Sequence, residues 1–185
     1  MVKQKKTGGA KKIAVLALMT GLGLIAFLIE SLLPSPVLPG AKAGISNVFS
    51  LLALVLYGLP EATLVVVART VLGSLFAGNP SMLLYSLTAG LASIVLSRLL
   101  LCFFPKISVV CVSVTSAIAH NLVQLLVYCS LAGTFLLMGY APYLILLGAA
   151  AGLFVGLLVV ILVKSVPLSA FSRIAGVKFR TEELV

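Results

Sequence analysis

Long apolar runs, broken by short polar or helix-breaking stretches, dominate the chain: residues 13–33, 44–58, 61–77, 82–103, 108–132 and 141–163. The breaks fall at Pro34 to Lys42, Gly58 to Glu61, Ala77 to Ser81, Phe104 to Ser108 and Gly133 to Pro142, with a polar tail from Lys164. No run alternates with period two, which excludes a barrel. A helical span needs roughly 20 residues, because each residue rises 1.5 Å through ~30 Å of hydrocarbon. The pattern therefore predicts an all-α integral membrane protein, a bundle of six transmembrane helices. It divides into a basic segment at 1–12, a transmembrane domain at 13–164 and a tail at 165–185. The second and third runs are short, and the Leu59-Pro60 break between them is either a tight turn or a kink, so a five-span reading stays open. The first run is too long for the apolar core of a secretory signal and no cleavage motif follows it, so it is read as a retained span.

Composition fixes the solvent. Apolar residues make up 62% and charged residues 9% of the 185, and the mean hydropathy is +1.28, far from a soluble domain. The bilayer is the first partner, and no separate soluble domain fits. Net charge is +9. With both termini cytoplasmic in the cell membrane, Lys3, Lys5, Lys6, Lys11, Lys12, Arg98, Lys106, Lys164, Arg173, Lys178 and Arg180 fall on the inner side, as the positive-inside tendency asks. Anionic lipid is a sufficient partner for them. The basic residues flank spans and do not interleave with aromatics on a soluble face, so no nucleic-acid binding is expected. Cys102, Cys111 and Cys129 have neither zinc nor disulfide spacing and read as core thiols.

Two cations escape that bulk explanation: Lys42, in the outer loop, and Arg69, in mid-span. An Arg at the centre of a span costs roughly 2.5 to 3.5 kcal/mol on insertion scales, so Arg69 needs a partner. It is either an ion pair or carbonyl clamp holding helices together or an anion ligand facing a cavity; neither Glu61 nor Glu30 is an obvious local partner. His120, Asn121 and Gln124 lie in the middle of the fifth run, with His120 and Gln124 on one helix face. They either line a cavity or hydrogen-bond between helices. Lys42, Gly44 and Asn47 lie together in Pro39 to Asn47; a helix starting near Gly44 would present free N–H groups and a positive dipole end to an anion. Simple snorkelling of Lys42 is the alternative. Asn79 to Ser81 reads as a turn and N-cap, and Tyr85, one turn on, is placed to line a cavity. Gly148, Gly152 and Gly156 have the spacing of a close helix contact, while Ala14, Ala17 and Gly21 offer small residues for internal packing or for docking another membrane subunit.

What is missing also narrows the function. The chain has no Asp, and its four acids are Glu30, Glu61, Glu182 and Glu183. Holding a diphosphate through magnesium takes clustered carboxylates. No phosphate-binding loop is present, and no metal site is built around His120, so catalysis by this chain alone is not expected.

Pro39 to Asn47, Gly58 to Glu61, Arg69, Tyr85 to Gly90 and His120 to Gln124, in this order and spacing, resemble the Gx transporter family, often labelled heptaprenyl diphosphate synthase component I. That family is similar to the substrate-binding S components of energy-coupling-factor (ECF) transporters, and the resemblance covers about residues 12–165. It implies a six-helix bundle with a pocket toward the outer face, taking a small anionic or amphipathic substrate. It further implies docking, through the places held by Ala17 and Gly21, on a transmembrane coupling subunit served by two ATPases. The chain itself would bind no cofactor, and ATP would be hydrolysed by those partners. The substrate-binding set is then Lys42, Gly44, Asn47, Arg69, Tyr85, His120, Asn121 and Gln124. The synthase label implies instead a membrane subunit beside a soluble prenyltransferase that extends menaquinone side chains; a purely structural membrane protein is the remaining reading.

Overall fold

Six α-helices make up the computed structural model, which describes residues 9–32 and 44–165. They are α1 (Gly9–Leu32), α2 (Asn47–Tyr57), α3 (Leu59–Phe76), α4 (Pro80–Phe103), α5 (Val109–Ala132) and α6 (Ala141–Ser165), the last preceded by a 3-10 turn, Leu136–Tyr140. Five are long and apolar enough to cross a membrane. The exception is α2, whose 11 residues rise about 16 Å, half of the hydrocarbon thickness. The run at 44–58 is therefore not a full span: its helix begins only at Asn47, after a turn at Ile45 and Ser46. At the other end, α1 starts at Gly9, so Lys11 and Lys12 belong to the helix and not to a leading segment.

The Leu59-Pro60 break is a tight reversal. Only Gly58 separates α2 from α3, at φ 104° and ψ −171°, a region essentially closed to side-chain-bearing residues. Its N–H closes α2 on the carbonyls of Ala53 and Leu54, and Pro60 sits in the first turn of α3, where a missing N–H costs nothing.

Contacts along the helices give their directions. Lys12 of α1 pairs with Glu61 of α3, Gly23 faces Arg69, and Phe27 faces Gly73, so α1 and α3 run parallel. Between them α2 runs the opposite way, from Asn47 beside Arg69 to Tyr57, whose ring centroid lies 5.6 Å from Lys12 Nζ. Short connections then reverse the chain into α4, α5 and α6. Asn79 starts α4 as an N-cap, its side chain accepting from the Met82 N–H at 3.2 Å. One end of the bundle consequently collects Lys12, Arg98, Lys106 and Lys164, and is called the basic end below.

α5 and α6 pack backbone against backbone through the glycines of α6. A Cβ on Gly152 would lie 2.6 Å from Val114 Cα and 2.8 Å from Ser113 O, and Gly148 and Gly156 face α5 backbone in the same way. Gly152→Val is expected to destabilise the bundle by about 1 to 3 kcal/mol, because backbone cannot yield as a side chain can. Denaturant unfolding in detergent micelles, compared with the exposed Leu153→Val control, measures it.

The outside of the bundle is apolar, as lipid demands: Ile13, Leu18, Ile25, Leu146 and Phe154 are all exposed. Cys129 is buried, but Cys102 and Cys111 are exposed, which corrects the expectation of three core thiols. In a membrane bundle the core is not the only apolar surroundings a thiol can find.

Candidate functional site

A half-span has a physical consequence. The start of α2 lies opposite Arg69, ten residues or about 15 Å along α3, so helix-start amides sit deep in the bundle. Buried there, they must be satisfied by protein. Glu30, near the other end of α1, does this: its carboxylate accepts from the Ile45 N–H and from Ser46 Oγ at 3.1 Å. Glu30 is only 5% exposed. A negative charge at a helix start is favoured by the dipole as well as by the amides. The sequence predicts an anion at this position, and the anion there is the chain's own carboxylate.

Arg69 is 3% exposed. Its Nη2 donates to Asn47 Oδ1 at 2.6 Å, and Glu30 is close enough to act on it electrostatically. Its stem crosses Gly23, where an added Cβ would stand 3.3 Å from Arg69 Cδ. The remaining nitrogens, Nε and Nη1, are buried without a hydrogen-bond partner; they carry three of the guanidinium's five N–H bonds. Arg69 thus ties α3 to α2 through one nitrogen, while its Nε and Nη1 donors stay open.

Arg69 borders a small cavity of about 20 Å³ lined also by Glu30, Gly44, Ser46, Asn47, Thr70, Ser86, His120 and Asn121. Ser86 Oγ, also in the lining, is buried without a partner. Gly44, at φ 75°, turns the chain into α2 without a side chain over the cavity. Asn121 serves packing as well as lining, its Nδ2 donating to the Leu144 carbonyl of α6 at 3.1 Å.

Five of the sequence-predicted binding residues, Gly44, Asn47, Arg69, His120 and Asn121, therefore converge from α2, its leading turn, α3 and α5. Tyr85 and Gln124 are buried outside that lining. Tyr85 stacks edge-to-face on Tyr128, with centroids 6.2 Å apart, and packs with Phe27 and Met82. Lys42 lies outside the described residues. Ala14 and Ala17 are exposed on α1, and a Cβ on Gly21 would meet open space.

The sequence reading missed Glu30, Gly23, Thr70 and Ser86. Glu30 carried a signal, as the only acid in the first 60 residues. The others carried none, since a small residue at one position of an apolar run looks the same whether it faces lipid or a cavity. A second cavity of about 30 Å³ adjoins the first and shares Gly44 and Asn47 with it.

A family model described as Heptaprenyl diphosphate synthase component I matches residues 19–162. No curated protein matches the chain.

Proposed function

The chain belongs to the heptaprenyl diphosphate synthase component I family, and from that premise we propose that it is a multi-pass membrane subunit that binds a small anionic molecule at Arg69, as the substrate-binding component of an ECF-type uptake transporter. The observation that carries this is the pair of open, fully buried nitrogens of Arg69. A buried donor left unmade costs about 1 to 3 kcal/mol, more when charged, and a carboxylate or phosphate matches a guanidinium fork in geometry and charge. Asn47 holds that fork in place, and His120 and Asn121 line the same cavity.

Topology supports uptake from outside. With the basic end cytoplasmic, the cavity lies toward the outer half of the bundle. Energy would then come from two ATPases acting through a coupling subunit that docks on α1 at Ala14, Ala17 and Gly21. Gly21→Leu is expected to abolish co-purification with that subunit while leaving anion binding intact, because the new side chain enters open space; pull-down and titration on the same preparation check it.

The family description favours a second reading, in which the same cation holds a diphosphate head for a soluble prenyltransferase partner. The decisive experiment reconstitutes the chain twice. ATP-dependent accumulation in vesicles carrying the coupling subunit and ATPases is expected. Elongation gained by an added soluble synthase subunit, without accumulation, would replace transport by the second reading, and neither outcome would leave a structural protein.

A further inference from the structure

The second cavity, of about 30 Å³, differs in chemistry from the first. Ser50 of α2, Ser93 and Ser97 of α4, and Ser113 and Ser116 of α5 line it, and no charged side chain does. A serine hydroxyl has one proton and two lone pairs. Three of these protons are already used inside their own helices: Ser93 Oγ donates to the Gly90 carbonyl at 2.9 Å, Ser97 Oγ to Ser93 at 2.8 Å, and Ser116 Oγ to Ser113 at 3.1 Å. Each of those oxygens keeps only acceptor capacity. Ser50 is 1% exposed, and its Oγ is buried without a hydrogen-bond partner. The first cavity thus sets the open guanidinium donors of Arg69 beside the Glu30 carboxylate, whereas the second offers hydroxyl lone pairs, with only the Ser50 proton shown unused, and Asn47 lines both.

From this juxtaposition we infer that the ligand has two polar ends, an anionic group at Arg69 and an N–H or O–H donor in the serine cavity, and that it is not a prenyl chain. The inference rests on the anion site proposed above. An apolar tail in the serine cavity would displace water from acceptors it cannot satisfy and leave Ser50 orphaned. A hydroxyl or amino group meets lone pairs from three helices, and the space suits a group of that size.

Matched probes separate the two ends. Glycerol 3-phosphate and n-propyl phosphate share the anion and the chain length and differ in their hydroxyl donors; inorganic phosphate reports the anion site alone. In the full chain in lipid nanodiscs, titration is expected to show glycerol 3-phosphate binding about tenfold more tightly than n-propyl phosphate, the effect of about one good hydrogen bond. Ser50→Ala and Ser97→Ala, each a small truncation that leaves the helix bonds of its backbone unchanged, are expected to shrink that preference toward parity. Inorganic phosphate affinity should stay within twofold (roughly the noise of such a comparison). Equal affinity for the two organic phosphates, tighter binding of n-propyl phosphate, or a preference untouched by both variants would overturn the inference while leaving the Arg69 site standing. Failure of all three probes to bind would overturn the anion site and this inference together.

Discussion

Arg69→Met is expected to weaken phosphate binding at least about 100-fold. Two charge-assisted hydrogen bonds from the open nitrogens, at about 1.5 to 3 kcal/mol each, amount to that or more. Met fills much of the same volume, so packing over Gly23 survives, but Asn47 loses its donor and Glu30 loses the opposite charge that acts with it. A buried group left without its partner costs about 1 to 3 kcal/mol or more, so the variant must first be shown monodisperse by size exclusion in detergent. Arg69→Lys separates charge from geometry. It keeps the cation and loses the fork, and about tenfold weaker binding with near-normal stability is expected. Unchanged phosphate affinity in a folded Arg69→Met protein would show that the open nitrogens serve packing alone.

Much of this arrangement was legible in the sequence because membranes punish polarity so steeply. Arg69, Asn47, His120 and Asn121 stood out against hydrocarbon, and their convergence on one cavity is what a cost of several kcal/mol per buried polar group requires. Five of the helices followed from run length, and the four-residue spacing of Gly148, Gly152 and Gly156 announced a close helix contact, though not that its partner is α5. The half-length of α2 did not follow, because hydropathy registers apolar residues whether or not they are helical across the full bilayer. Nor did the role of Glu30. Sequence distance placed it 39 residues from Arg69 and near a span end, while the fold brings the α2 start down to meet it. Tyr85, one turn inside a span, has its ring packed with Phe27 and edge-to-face on Tyr128, contacts that its place in the sequence did not announce. Which face of an apolar helix looks inward is decided by neighbours, and α4 has almost no amphipathic pattern to announce it.

Glu30→Gln is expected to separate stability from affinity. The amide is nearly isosteric, and its oxygen can still accept from the Ile45 N–H, but the charge that favours the α2 start and balances Arg69 is gone. Hydrogen bonds to an ionised acceptor are roughly twice as strong as neutral ones, and the dipole term adds up to about 2 kcal/mol in buried settings. A loss of about 2 to 4 kcal/mol is expected by denaturant unfolding without ligand. Glu30 also lines the cavity that Arg69 opens on, so it repels any anion arriving there. With that repulsion removed, inorganic phosphate is expected to bind the variant about tenfold more tightly than the wild type. Added phosphate should then restore part of the lost stability, since a ligand that binds only the folded state stabilises it in proportion to its occupancy. A variant that loses stability and phosphate affinity together would instead make Glu30 a support for the anion site, holding the α2 start and Asn47 in place. Opposite signs in the two measurements would establish that the carboxylate and the ligand compete for one electrostatic position at the head of the half-span.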